Sequence, residues 1–398
     1  MDGSKELMKK QELKIRILLF VLAIILFFIG GLTSVGGCDY PFHRSLAYNL
    51  KYDLLKNPKL FLKDYYYPVW YFLVKIVTKI LKQDSTLYGC QIVSGILVAT
   101  SFLITHKLYF DNKKYSGALA AFALCIVGPL YFPWYDIKYY EGQCSPNVWH
   151  NPTSLLIKPI AILIVWILVD IFNEEHWEKN KCIWLSILLV VANLSKPSFS
   201  QILYPTVFLV CLYLIIKTKG KYWGKAIKLF CYFLPSVICM ILQFIIAFYV
   251  NDKGGGITIS WFTAWGYYAK NIPISVFLVI CFPFLEMIRK IIYKEVAFDD
   301  VFVWILFVVS FLEYAFIAEK GERALDGNFG WGYQLALFFV WIQGMRTYLE
   351  GYFKQDNLQQ ETSKLRGLLF DIETITLIFH AFFGIRYIYT FIFKGACL

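Results

Sequence analysis

The sequence predicts an all-α polytopic membrane protein folded as one bundle over residues 1–398. Three observations lead there. Hydrophobic residues make up 58% of the chain and charged residues only 17%. Apolar stretches of bilayer-crossing length recur from end to end, separated by short Lys-rich turns. Finally, 36 Phe and 28 Tyr supply the rings that settle in lipid and at headgroup level. A soluble fold would need about ten helices apolar on every side, covered by very little polar structure.

The first apolar run, 15–34, follows Lys5, Lys9, Lys10, Lys14 and Arg16, a basic flank that belongs on the cytoplasmic side. It is longer than a signal-peptide core and lacks a small-residue cleavage site, so it reads as a retained span whose end Gly30 and Gly31 could fray. Residues 35–85 then form a long first external loop. Within it, 45–62 is mixed in character and carries Asp53, while 67–82 is more apolar but holds Lys75, Lys79 and Lys82. Both suit interfacial helices whose amines reach water. Alternatively 67–82 is a true span, which would reverse everything downstream.

Further spans are expected at 86–106, 115–130, 153–171, 182–195, 199–216, 226–249, 273–288, 299–318, 331–349 and 367–393, about eleven in all. With 67–82 kept at the interface, the basic turns near 107–114, 179–181, 217–228, 289–294 and 346–366 join the amino terminus inside. Together they hold more than half of the 39 Lys and Arg residues. Lys196-Pro197 interrupts the chain after the short run 182–195, because proline removes a backbone donor. A helix, a polar turn and a second helix would satisfy that pattern, as would two ordinary spans with Lys196 near the outer interface.

The net charge of +11 sits mostly in these turns, where it meets anionic headgroups; no basic-aromatic stripe suggests nucleic acid. The ten Cys are scattered without metal-ligand spacing, although Cys38 and Cys144 could meet outside the membrane. Gly254-Gly255-Gly256 lacks the Gly-Lys-Ser/Thr of a phosphate-binding loop and reads as a flexible connection. The Ile, Lys, Asn and Tyr content suits a bacterial inner or plasma membrane.

Chemistry-bearing residues fall in four external neighbourhoods: Asp39 to Arg44, residues 134–153, the surroundings of Lys196, and residues 319–331. Asp39 could act as a general base toward an acceptor hydroxyl, or cap the following helix. His43, Arg44, Lys196 and Arg323 could hold a lipid-linked phosphate, or lie at the headgroup interface. Glu319 and Glu322 stand near enough in sequence to orient Arg323. Asp136, Glu141, Trp149, His150, Asn151, Asn328 and Trp331 combine carboxylates, amides and rings suited to ordering and stacking on sugars, or to an aromatic belt. Glu313 falls inside an expected span, where a carboxylate faces a protein interior or watery path and could pair with Lys196 or Arg323. No strong transition-metal motif occurs, although Asp39 could join Asp136, Glu141 or Asp326 around a divalent ion.

The basic-flanked first helix, Asp39 in a long first external loop, interfacial segments in that loop and a multispan bundle together resemble the GT-C class of integral-membrane glycosyltransferases. The run Leu194-Ser195-Lys196-Pro197, with Trp149-His150-Asn151-Pro152 and Gly327-Asn328-Phe329-Gly330-Trp331-Gly332, is similar to bacterial membrane proteins of this type. The resemblance implies transfer of a sugar from a polyprenyl-phosphate donor to a glycan, lipid or protein acceptor on the extracytoplasmic face, with Asp39 as base. A polysaccharide polymerase or ligase, and a lipid-linked sugar flippase or transporter, are the competing expectations.

Overall fold

The structure, a computed structural model, describes residues 2–50, 57, 61, 64–111, 114–132, 142–247, 256–357 and 364–395. It is a multi-pass bundle of α-helices. The long helices are α1 (Asp2–Thr33), α4 (Leu87–Tyr109), α6 (Pro152–Asn173), α8 (Ser198–Lys217), α9 (Trp223–Ile245), α11 (Ile272–Ile292), α12 (Phe298–Phe316), α13 (Gly330–Asn357) and α14 (Lys364–Lys394). Between them lie α2 (Asp39–Asn49), α3 (Val69–Ile80), α5 (Tyr115–Ile126), α7 (Lys179–Ser195) and α10 (Thr263–Tyr268). A two-stranded antiparallel ribbon, β1 (Ile257–Ile259) and β2 (Ile317–Glu319), pairs Thr258 with Ala318.

Helices occupy all eleven positions expected to span, but among the described residues seven are long and apolar enough to cross a bilayer, which corrects the expected eleven. The other four fall short for visible reasons. α5 has 12 residues and α7 has 17, too short at 1.5 Å per residue for a full hydrocarbon core. α12 carries Asp299, Asp300 and Glu313 within 19 residues, and α13 interleaves Gln334, Gln343 and Arg346 with its apolar positions.

Close packing is set where side chains are missing. A Cβ on Gly95 would lie 2.6 Å from the Phe27 carbonyl oxygen, and one on Gly30 would lie 2.9 Å from that of Ser94. These glycines let α1 and α4 touch backbone to backbone, so Gly30 is a packing residue inside α1, not a frayed end. Elsewhere the interior is filled by large rings; Trp70, Trp265 and Trp341 are wholly buried.

Side-chain contacts gather the helix ends in two groups. Asp39, Asn151, Lys196, β1, β2 and the carboxy-terminal end of α14 share one end of the bundle. The other end holds the α11–α12 turn and the facing parts of α13 and α14.

Candidate functional site

The loop ahead of α6 is anchored from below. Lys158, buried one turn and a half into α6, donates to the Pro146 carbonyl at 3.1 Å and to Asn147 Oδ1 at 2.7 Å. Asn147 in turn donates to the carbonyls of Leu124 and Val127, both at 2.8 Å. That fixes the position of Asn151, the N-cap of α6, followed by Pro152 at the first helical position where its missing N–H costs nothing.

Asn151 organises the site. Its Oδ1 accepts from Ser154 N at 2.9 Å, Thr153 Oγ1 at 2.7 Å and Lys196 Nζ at 3.0 Å. Three donors on one oxygen fix the amide orientation, so the NH₂ must face the other way. There it donates to Asp39 Oδ2 at 2.6 Å. One amide therefore lies between a carboxylate and an amine.

Asp39 reaches this point because the chain turns sharply after α1. Cys38 adopts φ 58°, and Gly36 and Gly37 lie so close to α14 that added Cβ atoms would sit 3.0 Å from Phe391 Cζ and from the Gly395 carbonyl oxygen. Asp39 is the first residue of α2; Cys38 holds the N-cap position without a side-chain cap, so Asp39 serves the Asn151 contact in place of the expected capping role. His150 Nε2 lies 4.0 Å from Asp39 Oδ2, with its Nδ1 3.2 Å from Tyr387 Oη on α14.

Lys196 ends α7 in extended backbone (φ −166°), and Pro197 (φ −65°) starts α8. The sequence signal for a break is thus realised as a helix–turn–helix. Its amine does not snorkel outward: at 8% exposure the residue turns inward, donates to Asn151 and Thr153 Oγ1 (3.0 Å), and lies 4.2 Å from the Trp331 ring centre. Burial lowers its pKa from the usual amine range to about 7, with the Asp39 carboxylate partly opposing that shift. Burial also lowers His43 and His150 to about 4 each, Lys196 pushing in the same direction and Asp39 against it.

These groups line one cavity of about 1460 Å³. Asp39, His43, His150, Asn151, Lys196, Arg323, Asn328 and Trp331 all contribute to its wall. His43 Nδ1 is held at 2.9 Å by Tyr71 Oη. Arg323 is already engaged, with Nε 2.9 Å from Asp326 Oδ2 and 3.2 Å from Glu319 Oε2; Glu319 also accepts from Asn328 at 2.8 Å. Asp326 takes the part expected of Glu322. Pro205, Met240, Phe244, Val309, Leu312 and Phe316 of α8, α9 and α12 add apolar lining, with Phe244 and Leu312 also exposed on the outside of the bundle.

Several expectations do not hold. Arg44 is absent from the cavity wall and lies on the α2 side facing Tyr40 and Cys90, its carbonyl accepting from Thr86 Oγ1 at 3.3 Å. Trp149 is 2% exposed and packed in the core, away from the cavity, because the loop must turn there to present Asn151. Glu313 lines the cavity, yet among the described residues it makes no ion pair with Lys196 or Arg323. Cys38 is disulfide-bonded whereas the buried Cys144 is in no disulfide, so the two do not pair. Asp136 and Glu141 lie outside the described residues. Among the described residues no group of three or more His, Cys, Asp or Glu is arranged to hold a metal, and Asp326 is committed to Arg323.

The sequence reading missed Thr153 as an acceptor for Lys196 and Tyr387 as the partner of His150. The Asn-Pro-Thr-Ser order is a helix-start signature and could have revealed the first. Nothing local marks Tyr387, which is 237 residues from its partner.

Fold and composition define the chain as a multi-pass, all-α membrane protein with a polar cavity at one end of its bundle. No protein-family model matches the sequence, and no curated protein matches it either.

Proposed function

We propose that this protein is a membrane glycosyltransferase, moving a sugar from a polyprenyl-phosphate donor to a glycan, lipid or protein acceptor. The observation that carries the reading is the single amide of Asn151 holding Asp39 and Lys196 on opposite sides, at the wall of a cavity with one polar and one apolar face. A carboxylate kept off the neighbouring amine is not tied up in an ion pair with it. An amine satisfied only by neutral acceptors retains an appetite for an anion.

In the reaction, Asp39 takes the proton of the acceptor hydroxyl as its oxygen attacks the anomeric carbon. The bond from that carbon to the phosphate oxygen breaks, and Lys196 stabilises the charge left on the phosphate, with His43 and His150 as neutral N–H donors. Asn328 and Trp331 border the sugar, and the isoprenoid tail follows the apolar wall of α8, α9 and α12. α2 and α3 of the first loop lie along the outer face as interfacial helices; most of 51–63, with Asp53, lies outside the described residues. The amino terminus is cytoplasmic, the cavity opens on the other side, and the membrane is a bacterial inner or plasma membrane. Transfer of an assembled glycan by a polymerase or ligase would use the same groups.

Glu313 supports a second reading. An acidic side chain on the cavity wall within α12, unpaired among the described residues, suits a gated path for a lipid-linked sugar. Purified protein offered a panel of prenyl-phosphate sugars separates the two: an enzyme releases prenyl phosphate, whereas a transporter moves the lipid unchanged between leaflets. Asp39→Asn should lose about 10²–10⁴-fold in turnover while still binding donor. Unchanged turnover would overturn the assignment of the base.

A further inference from the structure

Lys196 is placed unusually for a buried cation. The nearest carboxylate, Asp39, is screened from it by the Asn151 amide, whose NH₂ faces Asp39 and whose oxygen faces the amine. That oxygen also accepts from Thr153 Oγ1 and Ser154 N, so its electron density is divided among three donors. The Trp331 face at 4.2 Å is a weak partner compared with a carboxylate. A full positive charge is therefore poorly compensated by the protein's own groups. The other titratable groups on the cavity wall are His43, His150, Cys144, Glu313, Glu319, Arg323, Asp326, Tyr66, Tyr67, Tyr268 and Tyr314; Arg323 takes up Glu319 and Asp326, and Asp39 is the carboxylate whose charge bears on the amine.

We infer that Lys196 is a proton-coupled anion site: a phosphate-type anion entering the cavity binds together with one proton from bulk water, which ends on Lys196 Nζ. This deepens the glycosyltransferase reading by assigning how its donor phosphate is held, but it needs no transfer chemistry. Burial lowers the amine to about 7, which agrees with it, since an adjacent anion would return the amine toward its ordinary range. Uptake follows from that difference. It should be close to one proton per anion around pH 8, about half around pH 7, and small around pH 6, where the amine is already charged. Affinity should fall as pH rises through 7, approaching roughly tenfold per unit.

The test uses the detergent-solubilised full chain and octyl methyl phosphate, a diester that stays monoanionic over this range, so any proton taken up belongs to the protein. Titration calorimetry at pH 8, repeated in buffers of different ionisation enthalpy, counts the protons. Dimethyl phosphate, which lacks the tail, shows whether the site takes the free anion or requires a lipid. Lys196→Arg should bind without uptake and with affinity flat from pH 6 to 8.5, because its guanidinium is charged throughout. Lys196→Met should not bind; if that variant fails to fold, the arginine variant still decides. Wild-type binding with no uptake at pH 8, or uptake that persists in Lys196→Arg, would overturn the inference. Failure of both anions to bind would sink it together with the donor site of the enzyme reading. Coupled binding without sugar transfer would leave the inference standing and remove the enzyme reading alone.

Discussion

The two ends of the bundle handle buried charge in opposite ways. At the end away from the cavity, charges meet their opposites directly. Arg289 lies between Glu286 (2.5 Å) and Glu373 (3.4 Å), all three almost fully buried, and also donates to the Thr347 carbonyl. Lys290 bonds both oxygens of Asp300 at 2.8 Å, and Asp299 takes Arg346 at the same distance. These contacts lace α11, α12, α13 and α14 together. At the cavity end, Lys196 and Asp39 sit on one amide without touching. The first arrangement stabilises a bundle; the second keeps its charges available to something else. In the proposed function that separation is what matters, because a direct ion pair would silence both partners.

Substitutions can break this contrast. The largest expected effect is at the closed end: Arg289→Met leaves two carboxylates buried without a cation and should cost about 3–5 kcal/mol. Thermal denaturation in detergent measures it, and a small loss would show that the cluster is not structural glue.

Acid should loosen the open end next. His43 and His150 are held neutral, with pKa values lowered to about 4 from 6.5. The unfolded chain thus binds more protons between those limits. The stability they contribute is complete above pH 6.5 and is lost as pH falls toward 4. Melting temperature should drop by several degrees across that window, and the paired substitution His43→Gln with His150→Gln should flatten the drop. An equal drop in the substituted protein would assign the acid response elsewhere.

Asn151→Ala should let Asp39 and Lys196 collapse into a direct pair. We expect turnover to fall roughly 10- to 100-fold while the protein loses about 1 kcal/mol or less, the lost cap being offset by the new contact. Retained turnover would mean that separation of the charges does not matter. The smallest effect belongs to Arg323→Gln. Its side chain is half exposed and its pairing with Asp326 is shared with solvent, so stability should change by no more than about 1 kcal/mol. A larger change would show that the 319–328 loop is as locked as the far end.

Much of the framework is legible in residue order. Hydropathy alone placed helices at every expected position, since a backbone in lipid must satisfy its own hydrogen bonds. It overcounted the spans because periodic apolarity in α5, α7, α12 and α13 does not reveal helix length or the local density of charge. At the site, Lys196 stood out through its proline neighbour, and Asp39 through its position after the first helix. Asn151 had no special rank in residue order, and Arg44 and Trp149 were misplaced, since their direction depends on which face of α2 and which side of a turn meets the core.

What residue order alone determined was solvent: 58% apolar residues in membrane-length runs commit the chain to lipid, and short basic turns punctuate it. What only tertiary structure decided was contact. Asp39, Asn151 and Lys196 are separated by 112 and 45 residues, and the amide that keeps two of them apart is oriented by neighbours on α6. Burial is written locally in the chemistry of each side chain, whereas a hydrogen-bond partner is fixed only when distant helix ends arrive at the same place.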